Sequence, residues 1–361
     1  MSNGHNIHYD KYVIAVISAS EFEMSAFRFM LESEHPRLPI VEGDRNTYIL
    51  GELNGYNIVL ACLPGNQGKG AAAVVATNLE RTFHCIQWRF LVGIGGGVPN
   101  NKHDIRLGDV VISMPSGQHG GVVQYDLGKE AEDEFQLKGL LSPPPTLLRS
   151  VAEAMKSDHR VKDNRVNEFI STMLQKGRRL RAYDRPSKIS DNLYAANYPH
   201  IAGELTCSEC SDTHLVIREP REFDDPVIHY GLIASGDRVM KSGQKRDKIC
   251  RDVGEILCFE MEAAGISTEY SCIVIRGISD YADSHKNDDW QYYAAATAAA
   301  ATKELISYLG PGDCPNHTDP NLDSTTRKPL LLTQSQFQGV GIQNSGSGSI
   351  SVGRDVYMHG A

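Results

Sequence analysis

Three acidic stretches interrupt apolar runs, and each places carboxylates where chemistry could use them. FEMEAAG (259–265) sets Glu260 and Glu262 on either side of Met261. A buried glutamate is costly unless it is paired. The spacing therefore reads either as a salt-bridged helix start or as a carboxylate that accepts hydrogen bonds from adjacent sugar hydroxyls. CIVIRGISDYAD (272–283) puts Asp280 and Asp283 directly after an apolar run. Such a residue either caps the next turn or acts as a general acid at a strand end. SASEFEM (18–24) carries Glu21 and Glu23 immediately after the first apolar run.

Other motifs say less about chemistry. VGIGGG (92–97) lets a backbone approach a ligand closely. It lacks the dinucleotide-binding spacing, and PGNQGKG (64–70) is no P-loop because no glycine stands four residues before Gly68. Tight packing is the default account of both. Cys207-Ser-Glu-Cys210 with His214 has the spacing of half a zinc site, but no second pair follows. No metal or cofactor is expected on that basis. Basic residues cluster in KGRRLRAYDRPSK (176–188), which includes Arg178 and Arg179, and again at Lys241, Lys245 and Arg246. They read either as solvated basic faces or as phosphate-gathering groups.

The elements that must position these residues alternate in type. YVIAVIS (12–18), 47–53, 56–63, RFLVGIGGGV (89–98), DVVISM (109–114), VIHYGLIAS (227–235) and CIVIRGISD (272–280) are short β-branched apolar runs. Asn54-Gly55 between two of them signals a hairpin. Helical patterns cover Glu21 to about Leu31, 68–82 and the Ala-rich Gln291 to Leu309. Buried strands interleaved with helices predict an α/β fold with a mixed central sheet flanked by helices. Ligands gather at the carboxyl ends of strands in such sheets. Four strands here end in SASEFE, GIGGG, FEMEA and ISD.

The pattern loosens over about 129–225, which reads as an insertion within a catalytic domain spanning 1–309. The remainder, 310–361, is polar and then rich in Gly, Ser, Gln and Asn. The chain has 361 residues, 41% of them hydrophobic, so a sizeable core can form. A net charge of −9 argues against a nucleic-acid partner. No apolar run approaches a membrane span, and no basic region precedes an apolar one at the N-terminus. Eight cysteines in such a length make no disulfide framework. Cys62, Cys85, Cys250, Cys258 and Cys272 are expected as buried thiols, and the compartment as cytoplasmic.

The order SASEFE, YILGELNG, GKGAAA, VGIGGG, LGDVVIS, IASGD, FEMEAAG and RGISDYAD resembles the purine nucleoside phosphorylase / methylthioadenosine nucleosidase superfamily over roughly 12–309. IHYGLIASGDRVM, GISDYADSHKN and the TCSEC insertion are similar to a fungal subgroup associated with intracellular immune-type receptors. The resemblance implies a homo-oligomeric purine nucleosidase. Its implied general acid is Asp280, and Glu23 orients the attacking water. Glu262 would grip the ribose 2′- and 3′-hydroxyls, Met261 would pack on the sugar, and Val239 and Phe259 would sandwich the base beside Gly95 and Gly96. Two positions depart from the pattern: Ile94 stands where many relatives carry a hydroxyl, and Val239 where an aromatic often stacks.

The substrate expected from this reading is an adenine nucleoside or nucleotide such as ATP, with Arg178, Arg179, Lys241 and Arg246 as phosphate ligands. The alternatives are a phosphate-dependent phosphorylase and a silent nucleotide sensor. The acidic SASEFEM stretch disfavours the first, because a carboxylate repels a phosphate oxyanion. The tail segment 337–358 alternates β-formers with polar spacers and has no Pro. It is expected to be disordered in the isolated enzyme and to serve as an assembly segment of cross-β type, or else as a plain linker.

Overall fold

A computed structural model describes residues 8–39, 41–132, 135–186, 191–204 and 206–310, together with 342–344 and 350–352. The elements in chain order are β1 (Tyr12–Ser18), α1 (Glu21–Arg28), β2 (Ser33–His35), β3 (Tyr48–Leu53), β4 (Tyr56–Cys62), α2 (Lys69–Thr82) and β5 (Trp88–Gly97). Next come β6 (Val110–Ser113), β7 (Val122–Gln124), β8 (Gly128–Glu130), β9 (Phe135–Leu137), α3 (Thr146–Asp158) and α4 (Val166–Leu174). The domain closes with β10 (Ile228–Ser235), α5 (Gly243–Val253), β11 (Ile256–Glu260), α6 (Ala263–Ser267), β12 (Ile273–Asp280) and α7 (Gln291–Ser307).

The apolar runs pair as one mixed sheet in the order β11-β10-β6-β12-β5-β1-β4-β3-β2. β5 is long enough to serve three neighbours. Residues 88–91 pair with β1, residues 90–96 with β12, and Gly96 and Gly97 with Phe259 and Cys258 of β11. The last pairing closes β5, β12, β6, β10 and β11 into a ring, while β1 to β4 run out from it as an open wing. The Asn54-Gly55 turn between β3 and β4 has φ of 51° and 77°, as the hairpin signal requires.

Helices cover both faces. α1, α3, α4 and α7 share one apolar cluster with Val16, Phe90, Ile112 and Ile275. α2 and α6 share the other with Ile17, Val59, Leu91 and Val274. The alanines of α7 have a geometric reason. A Cβ on Gly277 of β12 would run into the Ala294 carbonyl, so helix and strand lie in direct backbone contact. Within the stretch read as an insertion, α3 and α4 belong to the main core: Leu148, Met155, Val166 and Met173 are fully buried there. Their apolar stripes had been obscured by the charged residues on their outer faces.

All seven described cysteines are free thiols. Cys258 and Cys272 are buried as expected, but Cys62, Cys85 and Cys250 are only half-buried: Cys62 ends β4, Cys250 lies in the last turn of α5, and Cys85 lies in the connection between α2 and β5. Among the described residues no helix is long and apolar enough to cross a membrane. The tail forms a separate unit, in which Ile342–Asn344 pairs antiparallel with Ile350–Val352. The rest of the expected assembly segment lies outside the described residues.

Candidate active site

Four strand ends and one helix start converge on a single cleft. β5 contributes Ile94, Gly95 and Gly96; β11 contributes Phe259 and Glu260; β12 contributes Arg276, Ser279 and Asp280. Arg238, Val239 and Met240 follow β10, Met261 and Glu262 follow β11, and Glu23 comes from the first turn of α1. The cavity measures about 150 Å³.

Glu23 is fixed by backbone amides. Its Oε2 accepts from Ala19 and Ser20, each at 2.9 Å, and its Oε1 accepts from Ile94 at 2.7 Å. The carboxylate thus caps α1 and ties it to the glycine strand, while Oε1 keeps a lone pair for another donor. The same approach explains the glycines. A Cβ on Gly93 would strike the Glu23 carboxylate and the Arg276 guanidinium. A Cβ on Gly96 would lie 2.8 Å from Asp280 Oδ1 and 2.9 Å from the Ala282 methyl. The glycine run is bare because side chains from three other elements occupy that space.

Arg276, 1% exposed, is the hub of a buried ion cluster. It donates to Glu260, to Glu262 at 3.3 Å and to the Ile94 carbonyl at 3.3 Å. Burial alone would push its pKa down, but the carboxylates of Glu260, Glu262 and Glu23 reverse the effect and hold it above the usual value. Glu260 also accepts from the amides of Glu262 and Ala263, so it is a structural carboxylate that shapes the FEMEA turn. Glu262 is bound more lightly, by Arg276 and by the Gly68 amide at 3.1 Å. Burial, opposed by Arg276 and reinforced by Glu260 and Glu23, pushes its pKa up to about 7. A carboxylate in that state is poised to gain from further hydrogen-bond donors.

Asp280 accepts from the Ala282 amide at 2.9 Å, from the Ser279 hydroxyl at 2.8 Å and from the Lys286 ammonium. Ala282, which packs against Gly96, has φ of 51°, a left-handed conformation uncommon for a residue with a side chain. Asp283 faces away from the cleft into an adjoining cavity and caps its own turn through the His285 amide at 2.8 Å. Phe259 is buttressed edge-on by Tyr125, with ring centroids 5.4 Å apart. Val239 is 52% exposed and forms part of the rim.

The structure thus brings together Asp280, Glu23, Glu262, Met261, Phe259, Val239, Gly95 and Gly96. The basic residues need correction. Arg178 and Arg179 are exposed on a short 3-10 helix, Lys241 is exposed, and none of these lines the cleft. Arg246 is buried and bonded to Asp247 and the Tyr281 carbonyl, so its charge is already matched. The cations that do line the cleft are Arg276, Lys286 and the exposed Arg238. Arg276 had a legible signal, being the single charge inside CIVIRGIS and therefore in need of the nearby glutamates. Lys286 and Arg238 had none.

Comparison with known proteins bears on the fold. No family model matches the chain. A nucleoside-hydrolysing structure from Neisseria meningitidis, a 5′-methylthioadenosine/S-adenosylhomocysteine nucleosidase in complex with methylthio-immucillin-A, superposes with a TM-score of 0.54 at 22% identity over 82% of this chain and 99% of that one. The chain has the nucleosidase fold. Futalosine hydrolase of Helicobacter pylori superposes with a TM-score of 0.53 at 17% identity, covering 83% of this chain and 99% of that one. A putative nucleosidase of the first type from Borrelia burgdorferi, bound to adenine, gives 0.55 at 16% identity, covering 82% and 100%. By sequence, the chain is 38% identical over 303 residues to a nucleotide-binding leucine-rich repeat (NLR)-like protein of Hyaloscypha variabilis. That match covers 84% of this chain and 30% of the relative's length.

Proposed function

We propose that the chain is a purine nucleosidase that hydrolyses the bond between base and ribose. The observation that carries the proposal is the convergence of Glu23, Glu262 and Asp280 on one cleft between Phe259 and Met261. In the proposed step the C1′–N9 bond breaks and a C1′–O bond to water forms. Asp280 protonates N7, so that the electron pair leaving with the base meets a proton. The sugar passes through an oxocarbenium-like state, whose positive charge the nearby carboxylates favour. Glu23 uses its spare lone pair to hold the attacking water and receives the proton it gives up. Glu262 accepts from the 2′- and 3′-hydroxyls, which orients the ribose.

Hydrolysis is preferred over phosphorolysis because of how the glycine strand is occupied. The Ile94 amide, a donor a phosphate would need, is taken by Glu23. Arg276 is already committed to the carboxylates of Glu260 and Glu262. An anion placed there would meet Glu23 at close range in a poorly screened site. For the substrate, an adenine nucleoside or nucleotide is the preferred reading. Any 5′-phosphates would meet Arg238 at the rim, since Arg178, Arg179 and Lys241 lie outside the cleft. The kinship with an NLR-like protein favours a role in a defence or cell-death response. The shared fold favours homo-oligomeric assembly.

The test is to incubate the full chain with purine nucleosides and nucleotides, with and without inorganic phosphate, and to identify the products by mass. Free base plus free ribose or ribose phosphate is expected in both conditions. A 1-phosphate sugar would move the chain to the phosphorylases, and no release from any substrate would leave it a nucleotide-binding sensor.

A further inference from the structure

The CxxC turn does not stand alone in space. Cys207 begins a short 3-10 helix, and the Cys210 amide returns to the Cys207 carbonyl at 3.1 Å, which folds the two thiols to one side. His200 completes the group: one donor atom from each of His200, Cys207 and Cys210 lies within 4.8 Å of the others. A tetrahedral zinc with sulfur at about 2.3 Å and nitrogen at about 2.0 Å needs donors roughly 3.5–3.8 Å apart, so only a small contraction is required. The His200 Nε2 lies 3.0 Å from the Thr206 carbonyl. Donation to a backbone carbonyl is the second interaction that metal-bound imidazoles make, and it leaves Nδ1 with its lone pair.

His214, the histidine suggested by spacing, is not in this group. Its exposed ring stacks on Tyr198 at 4.1 Å and 10°. A different histidine approaches instead. The His285 ring centroid is 5.5 Å from that of His200. His285 is only 8% exposed, and neither of its ring nitrogens makes a hydrogen bond. An Asp283 oxygen stands 3.6 Å from its Nδ1. A buried imidazole with two unmatched nitrogens calls for a partner, and a cation beside His200 would supply one.

We propose that His200, Cys207 and Cys210 bind a zinc ion, with His285 turning in as the fourth ligand. The site has a structural consequence for the cleft. His200 also bonds through its amide to the Ser284 hydroxyl at 2.9 Å. His285 is the residue before Lys286, which holds Asp280. The metal would therefore rivet the 191–215 segment to the loop that carries the ion-pair partner of Asp280.

The experiment uses the full chain, expressed with zinc and purified under reducing conditions. Elemental analysis should find close to one zinc per chain. Cobalt(II) replacement should give the intense visible bands of a tetrahedral site and a thiolate-to-cobalt band. Cys207→Ser or His200→Ala should cut metal content roughly tenfold or more, because ligands are lost outright. His214→Ala should leave it unchanged. Competition with a chelator should show weaker binding in His285→Ala, and hydrogen exchange over 281–286 should quicken when zinc is withdrawn from the wild-type chain. A reduced, folded chain that carries no zinc and gives no cobalt bands overturns the proposal. Loss of metal in His214→Ala overturns the assignment of His200, and an unchanged affinity in His285→Ala overturns the fourth ligand. None of these readouts depends on nucleosidase activity.

Discussion

At the scale of residues, the cleft separates two carboxylates by what holds them. Asp280 is matched by a lysine, a serine and an amide, whereas Glu262 has one distant arginine contact and one amide. Asp280→Asn should keep the fold and lower turnover by about 10²–10⁴-fold, the usual worth of a general acid; base release followed by chromatography checks this. For Glu262 the raised pKa sets a pH dependence. As pH rises through about 7 the side chain loses its proton and can accept from both ribose hydroxyls, so KM for ribosides should fall across that window. In Glu262→Gln the fall should disappear, and 2′-deoxyribosides should be less affected than ribosides. Linkage runs in the opposite sense for stability. The folded protein binds this proton more tightly than the unfolded chain, so the contribution of Glu262 is present below the ordinary carboxylate range and is lost as pH climbs towards 7. The identities of these residues were legible because carboxylates in apolar runs are conspicuous. The cations around them were less so, since proximity is a property of space: Lys286 and Arg238 lie in polar stretches where a positive charge attracts no notice, and His200 is seven residues from the cysteine it joins.

At the scale of elements, strand ends and turn chemistry were readable, and packing roles were not. The runs that became β1, β3, β4, β5, β6, β10 and β12 announced themselves by β-branched residues, and α7 by its alanines. β11 was legible as the strand that ends in FEMEA, although the point where ILCFEMEAAGIST (256–268) switches from strand to helix was not. The contribution of α3 and α4 to the core was masked by their charged outer faces. Within β5 the glycines matter through what crosses them. Gly93→Ala would force the Glu23 carboxylate and the Arg276 guanidinium aside, because its methyl would occupy their contact. Overpacking of this kind should cost about 1–3 kcal/mol. Urea denaturation of the variant should show a lower midpoint with an unchanged slope, and activity should fall with it, because Glu23 would lose its bond to Ile94. A midpoint equal to that of the wild type would mean that the ion cluster is free to move, contrary to the close contacts around it.

At the scale of the whole molecule, the chain divides into two compact units shortly after α7. The Tyr56 hydroxyl fastens the Gly310 carbonyl at 2.5 Å, and the tail beyond forms its own unit. A chain cut after Gly310 should keep full turnover and its melting temperature, as measured side by side with the intact protein. A peptide covering 330–361 should assemble with a thioflavin response; one that stays monomeric and binds nothing would leave the linker reading. The ring of strands carries a consequence for how the protein is made. β12, which bears Arg276 and Asp280, is the last of the five ring strands in chain order, yet its place lies between β6 and β5. A nascent chain emerges from the ribosome with that slot vacant and two bare strand edges beside it, a template for wrong pairing. Ribosome-stalled chains ending before Ile273 should therefore be held by chaperones far more than chains released after α7. The same order of synthesis delays Asp280, the acid of the proposed reaction, until the scaffold around it is already waiting, so a chain stopped before β12 should release no base.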